Sequence, residues 1–369
     1  MKIARIELRR LAMPLVAPFR TSFGVEHERD VLLVRVETPD GAGWGECVAL
    51  REPTYSSEYV AGAEKVIEEH LAPRLFAAPD LTAARVAAVL APVQGHRMAK
   101  GALELAVLDA ELRAAGMSLA RYLGGVRDEV DAGVTVGLTD NVAQLLDEVE
   151  GYLSAGYRRI KLKIRPGWDV APVRAVRERF GPDVLLQVDA NAAYTAGDAR
   201  VLQPLDDFDL LLIEQPLPEE DVRGHAELAR VLRTPICLDE SIVSARAAAD
   251  AIALGACSIV NIKAGRVGGY LEARRVHDVC AASGVSVWCG GMLETGLGRA
   301  ANVALASLPN FTLPGDTSAS DRYYKVDITE PFVLRDGRVR VPAGPGLGCE
   351  PIPEVLADVT TTARDVLPG

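Results

Sequence analysis

Residues 157–168 read YRRIKLKIRPGW. Ile160, Leu162 and Ile164 alternate with Lys161 and Lys163. Side chains of a strand point alternately to its two faces, so the two lysines share one face. Lysine is among the residues least often buried without a partner, so the face they share must hold something that receives positive charge. The surrounding sequence shows what that is. Polar residues at the ends of short apolar runs, Lys163, Asp189, Glu214, Asp239 and Lys263, follow one another at intervals of 26, 25, 25 and 24 residues. A strand, a helix and two short loops need about that many residues in a compact βα unit. Eight strands end in VTVG, IKLKI, LLQVDAN, LLLIEQP, ICLDES, IVNIKAG, VSVWCGG and FTLPGD, with Ala-rich helical stretches between them. Alternating strands and helices predict a parallel sheet. Eight such units close into a TIM barrel, with the active site at the C-terminal ends of its strands.

Closure places the residues. Asp189, Glu214 and Asp239 fall on three neighbouring strands, while Lys163 and Lys263 fall four strands apart, on opposite sides of the mouth. Three adjacent carboxylates repel one another unless a cation lies between them, and hard oxygen donors suit Mg²⁺, with Mn²⁺ as a substitute. A small-molecule carboxylate bound to that ion presents its α-carbon between the two amines. The cation is expected to stabilise the enediolate left by loss of the α-proton. A base on one face and an acid on the other would then racemise the carbon. A lysine base must be neutral near pH 7, and free lysine titrates near 10.4. Lys161 beside Lys163, and Arg266 three residues after Lys263, are like charges expected to lower those pKa values.

Outside the repeats, ARIELRRLAMPL and DVLLVRVETPDGAGWGECVAL read as strands around a polar loop, with a Pro-Asp-Gly turn in the second. Residues 56–123 carry helical spacing, and beyond residue 325 hairpin character returns, with a turn at Asp336-Gly337. The net charge of −11 argues against a nucleic-acid surface, which needs a basic stripe. No apolar run approaches the roughly 20 residues that span a membrane, and MKIARIELRRLAMPL lacks the apolar core of a signal peptide. The six cysteines form no C-x-x-C pair and read as reduced thiols of a cytoplasmic protein.

The passages KLK, VDAN, IEQP, LDES and NIKAGRVGG, in this order and spacing, resemble the enolase superfamily, muconate-lactonising subgroup. APFRTSFG, GHRMAKGALE and CGGMLETGLGRAANVALASLPNFTLPGDTSASDR are similar to the N-succinylamino acid racemase / o-succinylbenzoate synthase family. The resemblance covers essentially the whole chain. It implies an α/β fold, a modified (β/α)7β TIM barrel over 126–322, with an α+β cap built from residues 1–125 and completed by residues 323–369. It implies Mg²⁺ on Asp189, Glu214 and Asp239, an acid/base pair of Lys163 and Lys263, and a homo-oligomer. In the synthase reaction, a syn dehydration, it implies that Lys163 acts as acid and base while Lys263 stabilises the enediolate. Loops near Phe19–Phe23 and Leu50–Tyr55 would close over the substrate; Thr135, Lys161, Asn191, Gly291, Met292 and Leu293 would line the pocket with Phe19, Phe23 and Leu50. The family usually has Pro after the second lysine, where this chain has Ala264.

Plainer readings stand beside these. A single Asp or Glu at a strand end is most often a helix cap, but capping does not demand one on each of three successive strands. Lys161 alone could be a stem with a solvated head. Glu240 and Asp209 read as solvated or supporting residues, and the five histidines lack ligand spacing. Gly296-x-Gly298-x-x-Ala301 matches a dinucleotide fingerprint without the strand-turn-helix unit around it, and reads as close helix packing. Dipeptide epimerisation or muconate cycloisomerisation would use the same core, and a metal-binding scaffold without catalysis would not require the two intact amines.

Overall fold

A computed structural model of the protein describes residues 1–21 and 24–369. Strands β1 (Arg5–Arg20), β2 (Val25–Thr38) and β3 (Gly41–Cys47) open the chain. After a helical stretch come β4 (Glu129–Asp131), β5 (Gly133–Val136), β6 (Arg159–Lys163), β7 (Leu185–Asp189), β8 (Ile213–Glu214), β9 (Ile236–Leu238), β10 (Ile259–Ile262) and β11 (Ser286–Cys289). β12 (Arg338–Arg340) and β13 (Thr360–Val366) follow.

β5 to β11 form one parallel sheet in chain order, each next to its successor. Its strands are buried almost throughout, as in a sheet covered on both sides, and Thr135, Arg159, Gln187 and Asn261 are polar residues buried in them beside the lysines and acids. The connecting helices start where short polar side chains accept backbone N–H groups: Asn141, Asp169, Asp221 and Ser244 each cap one. Asp189, Glu214 and Asp239 cap none of these helices, which removes the plain reading of the three acids.

The eighth strand expected at FTLPGD is not a regular strand. Residues 311–315 meet the two edges of the sheet at single bridges, Val287 to Phe311 and Ala132 to Gly315. Thr312 N–H donates to Val287 O and Gly315 N–H to Asp131 O. Pro314 has no N–H to give, so the ladder cannot run through it, yet the bridges join β11 to β5 and the sheet curls into a ring.

β13, β1, β2 and β3 form an antiparallel sheet in that order, so the C-terminal strand completes a sheet begun by the N-terminus. The helix Arg97–Ala114 lies directly on β3. A Cβ at Gly45 would sit 2.0 Å from Ala102 O and one at Gly43 2.2 Å from Ala106 O, so glycine at both positions admits that approach. The loop expected over residues 17–28 is shorter than the sequence suggests, because β1 runs to Arg20 and β2 starts at Val25. The hairpin end is polar because it is solvated, with Val16 and Val25 about half exposed. It reaches the barrel: Leu138 N–H donates to Arg20 O, and Phe19 meets Tyr323 edge-on at 6.1 Å. The Asp336-Gly337 turn is present, both residues having positive φ as a tight hairpin turn requires. β12 pairs with β4 rather than with the cap sheet. The six cysteines are all free. Among the described residues no helix is long and apolar enough to cross a membrane.

Candidate active site

Register sets the site. Lys163 stands beside Asp189 across β6 and β7, and Asp189 beside Glu214 across β7 and β8. One repeat further, Asp239 follows β9, its N–H held by Gln215 Oε1 at 3.0 Å. The three carboxylates are essentially buried, each no more than 1% exposed. Lys263 follows β10, four strands round from β6. At this end of the sheet the backbone leaves its ordinary conformations: Asn191, Ala192, Gln215 and Leu293 all have positive φ. Such strain gathers where surrounding structure holds a site in shape.

Each lysine faces a carboxylate. Lys163 Nζ donates to Asp189 Oδ2 at 2.7 Å and to Asn191 Oδ1 at 2.5 Å. Lys263 Nζ donates to Asp239 Oδ2 at 2.6 Å and to Tyr55 Oη at 2.9 Å. Lys161 reaches Asp316 at 2.7 Å and Glu214 at 3.2 Å, with Asp189 at 3.5 Å. The face quoted at the outset is thus buried against acids. Phe19, Leu50, Thr135, Lys161, Lys163, Asn191, Lys263, Gly291, Met292 and Leu293 line one cavity at the mouth, joined by Thr21, Glu26, Tyr55, Asp316 and Tyr323. Phe23 lies outside the described residues.

Charge in this cluster follows from crowding. Burial, then repulsion from Asp189, pushes the Glu214 carboxyl up to about 8. Burial acts to raise Asp189 too, but Lys163 and Lys161 outweigh it and hold that group low. Burial pulls Lys161 and Lys263 down, yet Asp316 and Glu214 for the first, and Asp239 for the second, leave both above the ordinary lysine value. For Lys263 the lowering expected from Arg266 is therefore not the net result, since the attraction of Asp239 outweighs what lowers it. Arg266, despite Ala264 before it, is firmly held: it donates to Glu240 O and lies 3.8 Å from Asp239 Oδ1.

Among the described residues no three His, Cys, Asp or Glu side chains converge as a ready metal-ligand set, because lysine ammoniums stand between the acids. The donors nevertheless suit a hard divalent cation. Three carboxylates on consecutive strand ends supply oxygen, and Asp239 Oδ1 is buried without a hydrogen bond.

Of the two acids read as solvated or supporting, Glu240 is buried and accepts Asn191 Nδ2–H at 3.0 Å, and Asp209 is exposed. Other residues escape the sequence reading. Asp316 is one of them, although it follows Cys289 by 27 residues, one repeat on. The glycines of the dinucleotide fingerprint serve packing: a Cβ at Gly296 would lie 1.8 Å from Thr329 Oγ1. Arg159 was also missed, although it is in phase with Lys161 and Lys163. It is fully buried, donating to Asp316 Oδ1 at 2.8 Å and Pro314 O at 2.9 Å, with its guanidinium 5.2 Å from the Trp288 ring centre. It ties the irregular eighth segment to the sheet. Removing one partner of a buried pair leaves the other charge uncompensated. Arg159→Ala is therefore expected to lower stability by roughly 3–5 kcal/mol in urea unfolding; a loss below about 1 kcal/mol, the worth of an exposed pair, would contradict this role.

Residues 5–124 match the family model described as mandelate racemase / muconate lactonizing enzyme, N-terminal domain, and residues 144–355 match enolase C-terminal domain-like. The chain is 72% identical to an N-succinylamino acid racemase of an Amycolatopsis species over 361 residues, 98% of each chain. It is 50% identical to an o-succinylbenzoate synthase of Geobacillus kaustophilus over 348 residues, 94% of this chain and 92% of that one. A crystal structure of an enolase superfamily member from Listeria innocua matches with a TM-score of 0.95 at 39% identity, covering 100% of this chain and 99% of that one. With both family regions in place around the acid and lysine cluster, the chain belongs to the mandelate racemase / muconate lactonizing enzyme family of the enolase superfamily.

Proposed function

We propose that the protein is a divalent-cation-dependent N-succinylamino acid racemase that also performs o-succinylbenzoate synthesis. The observation that carries this reading is the convergence of Lys163 and Lys263 on one cavity from strands four apart in the ring, over three buried acids. The 72% identity to a named racemase supports it. In this reading Asp189, Glu214 and Asp239 hold the cation, Mg²⁺ or Mn²⁺. When bound, the cation supplies Lewis-acid stabilisation of the charge that grows on the substrate carboxylate as the α-proton leaves.

The chain's own residues do the rest. Lys163 Nζ takes the α-proton from one face, and Lys263 Nζ returns one to the other; from the opposite enantiomer the two exchange roles. In the dehydration Lys163 serves as both acid and base, while Lys263 stays charged and stabilises the developing anion. Each amine must leave its ion pair, Lys163 with Asp189 and Lys263 with Asp239, and lose a proton to act as a base. Lys161 and Arg266 oppose further positive charge at their neighbours. Phe19, Leu50, Met292 and Leu293 give an apolar wall that excludes water and receives the amino-acid side chain. Thr135, Asn191 and Gly291 complete the pocket. The same reading divides the chain into a cap (1–125), a barrel (126–322) and a closing segment (323–369), consistent with β13 returning to β1. It makes the protein a cytoplasmic homo-oligomer; six free thiols fit a reducing compartment.

The test is incubation with Mg²⁺ and an N-succinylamino acid in D₂O, following the α-proton by NMR. The expected result is loss of the α-proton signal from either enantiomer. No exchange with any acylated amino acid, together with exchange of a dipeptide or turnover of a muconate, would move the protein to those activities of the superfamily. No exchange with any carboxylate would leave a scaffold.

A further inference from the structure

The two lysines are held by different parts of the molecule. The second partner of Lys163 is Asn191, a barrel residue at the end of the strand that carries Asp189. The second partner of Lys263 comes from the cap. Its Nζ donates to Tyr55 Oη at 2.9 Å; Tyr55 Oη donates to Asp239 Oδ2 at 3.2 Å; and that same oxygen accepts from Lys263 at 2.6 Å. The three groups close a triangle. An ammonium can only donate and a carboxylate only accept, so the phenol takes a hydrogen bond from the amine and gives its own proton to the acid. The ring lies 4.8 Å from Lys263 Nζ and 5.3 Å from the Arg266 guanidinium.

The loop that carries Tyr55 is anchored at its base. Val60 N–H donates to Leu50 O, and the Glu58 carboxylate accepts the N–H groups of Met98 and Ala99 at the start of the long cap helix. Tyr55 is therefore the point at which a fixed piece of the cap touches a barrel lysine. A lysine stem is flexible, and a general acid or base acts only within hydrogen-bond reach of its proton. With Asp239 alone, the amine has one anchor and swings about it; with Tyr55 it has two and a fixed direction.

We infer that Tyr55 is the positioning residue for Lys263, so that seating of the 50s loop is required for proton transfer on the Lys263 face and not on the Lys163 face. This rests on the two-lysine reading above. Tyr55→Phe keeps the ring over both cations and removes the hydroxyl with its hydrogen bonds to Lys263, Asp239 and Arg266.

The full-length chain with Mg²⁺ is incubated in D₂O with saturating N-succinylamino acid, each enantiomer separately. Lys263→Ala identifies the enantiomer whose exchange needs Lys263. Loss of a hydrogen bond to a charged group is worth about tenfold or more. Tyr55→Phe is expected to slow exchange of that enantiomer by about tenfold, and of the other by less than about twofold, with an unchanged circular dichroism spectrum. Equal slowing of both enantiomers, or slowing of neither, would overturn the inference. A wild-type protein that exchanges neither enantiomer refutes the two-lysine reading itself, which keeps the two failures apart.

Discussion

Lys163→Ala and Lys263→Ala each lower racemisation of an N-succinylamino acid by about a thousandfold or more, read by polarimetry at saturating substrate and Mg²⁺. A positioned acid or base contributes about 10²- to 10⁴-fold, and racemisation needs one on each face, so either deletion stops the full reaction. Both amines line the same cavity, each against its own acid, and neither stands where it could replace the other from the far side of the ring. Both also neutralise buried carboxylates, so the loss must be read on folded protein. Asp189 retains Lys161 at 3.5 Å after Lys163→Ala, and Asp239 retains Arg266 at 3.8 Å after Lys263→Ala, which favours survival of the fold. Thermal unfolding and circular dichroism check this. Full activity in either variant would contradict the assignment.

Dialysis against EDTA reduces activity to below about 1% of its starting value, and added Mg²⁺ or Mn²⁺ restores it. The α-proton of a carboxylate is too weakly acidic for an amine to remove without strong stabilisation of the resulting charge. Asp189, Glu214 and Asp239 offer hard oxygen donors at three consecutive strand ends, each buried, and Asp239 Oδ1 has no hydrogen bond of its own. Titration calorimetry of the apo protein with Mg²⁺ provides a reading independent of turnover, in which Asp239→Asn binds the ion more weakly. Activity that survives the chelator would mean the acids have another purpose.

Repeat spacing made most of the barrel legible, because it depends on an invariant: one polar residue per βα unit at the strand end. Lys163, Asp189 and Glu214 fall into register as neighbours for that reason. The eighth strand was legible as a position but not as a form, since Pro314 breaks the ladder that FTLPGD otherwise suggests. Arg159 and Asp316 carried the same signals, alternation and spacing, but a buried arginine under a strand is an unusual reading of an RR pair. Tyr55 had no periodic signal at all. It comes from an irregular loop, and only the docking of cap on barrel brings it to Lys263. The direction of the Lys161 and Lys263 shifts was likewise hidden, because it depends on which acids are nearest in space.

The most direct test of the central claim, two amines on opposite faces of one carbon, is α-proton exchange in D₂O from single enantiomers by the two alanine variants. Lys163→Ala should exchange one enantiomer and Lys263→Ala the other, in a complementary pair. Exchange of the same enantiomer by both variants would place the two lysines on one face and contradict the account.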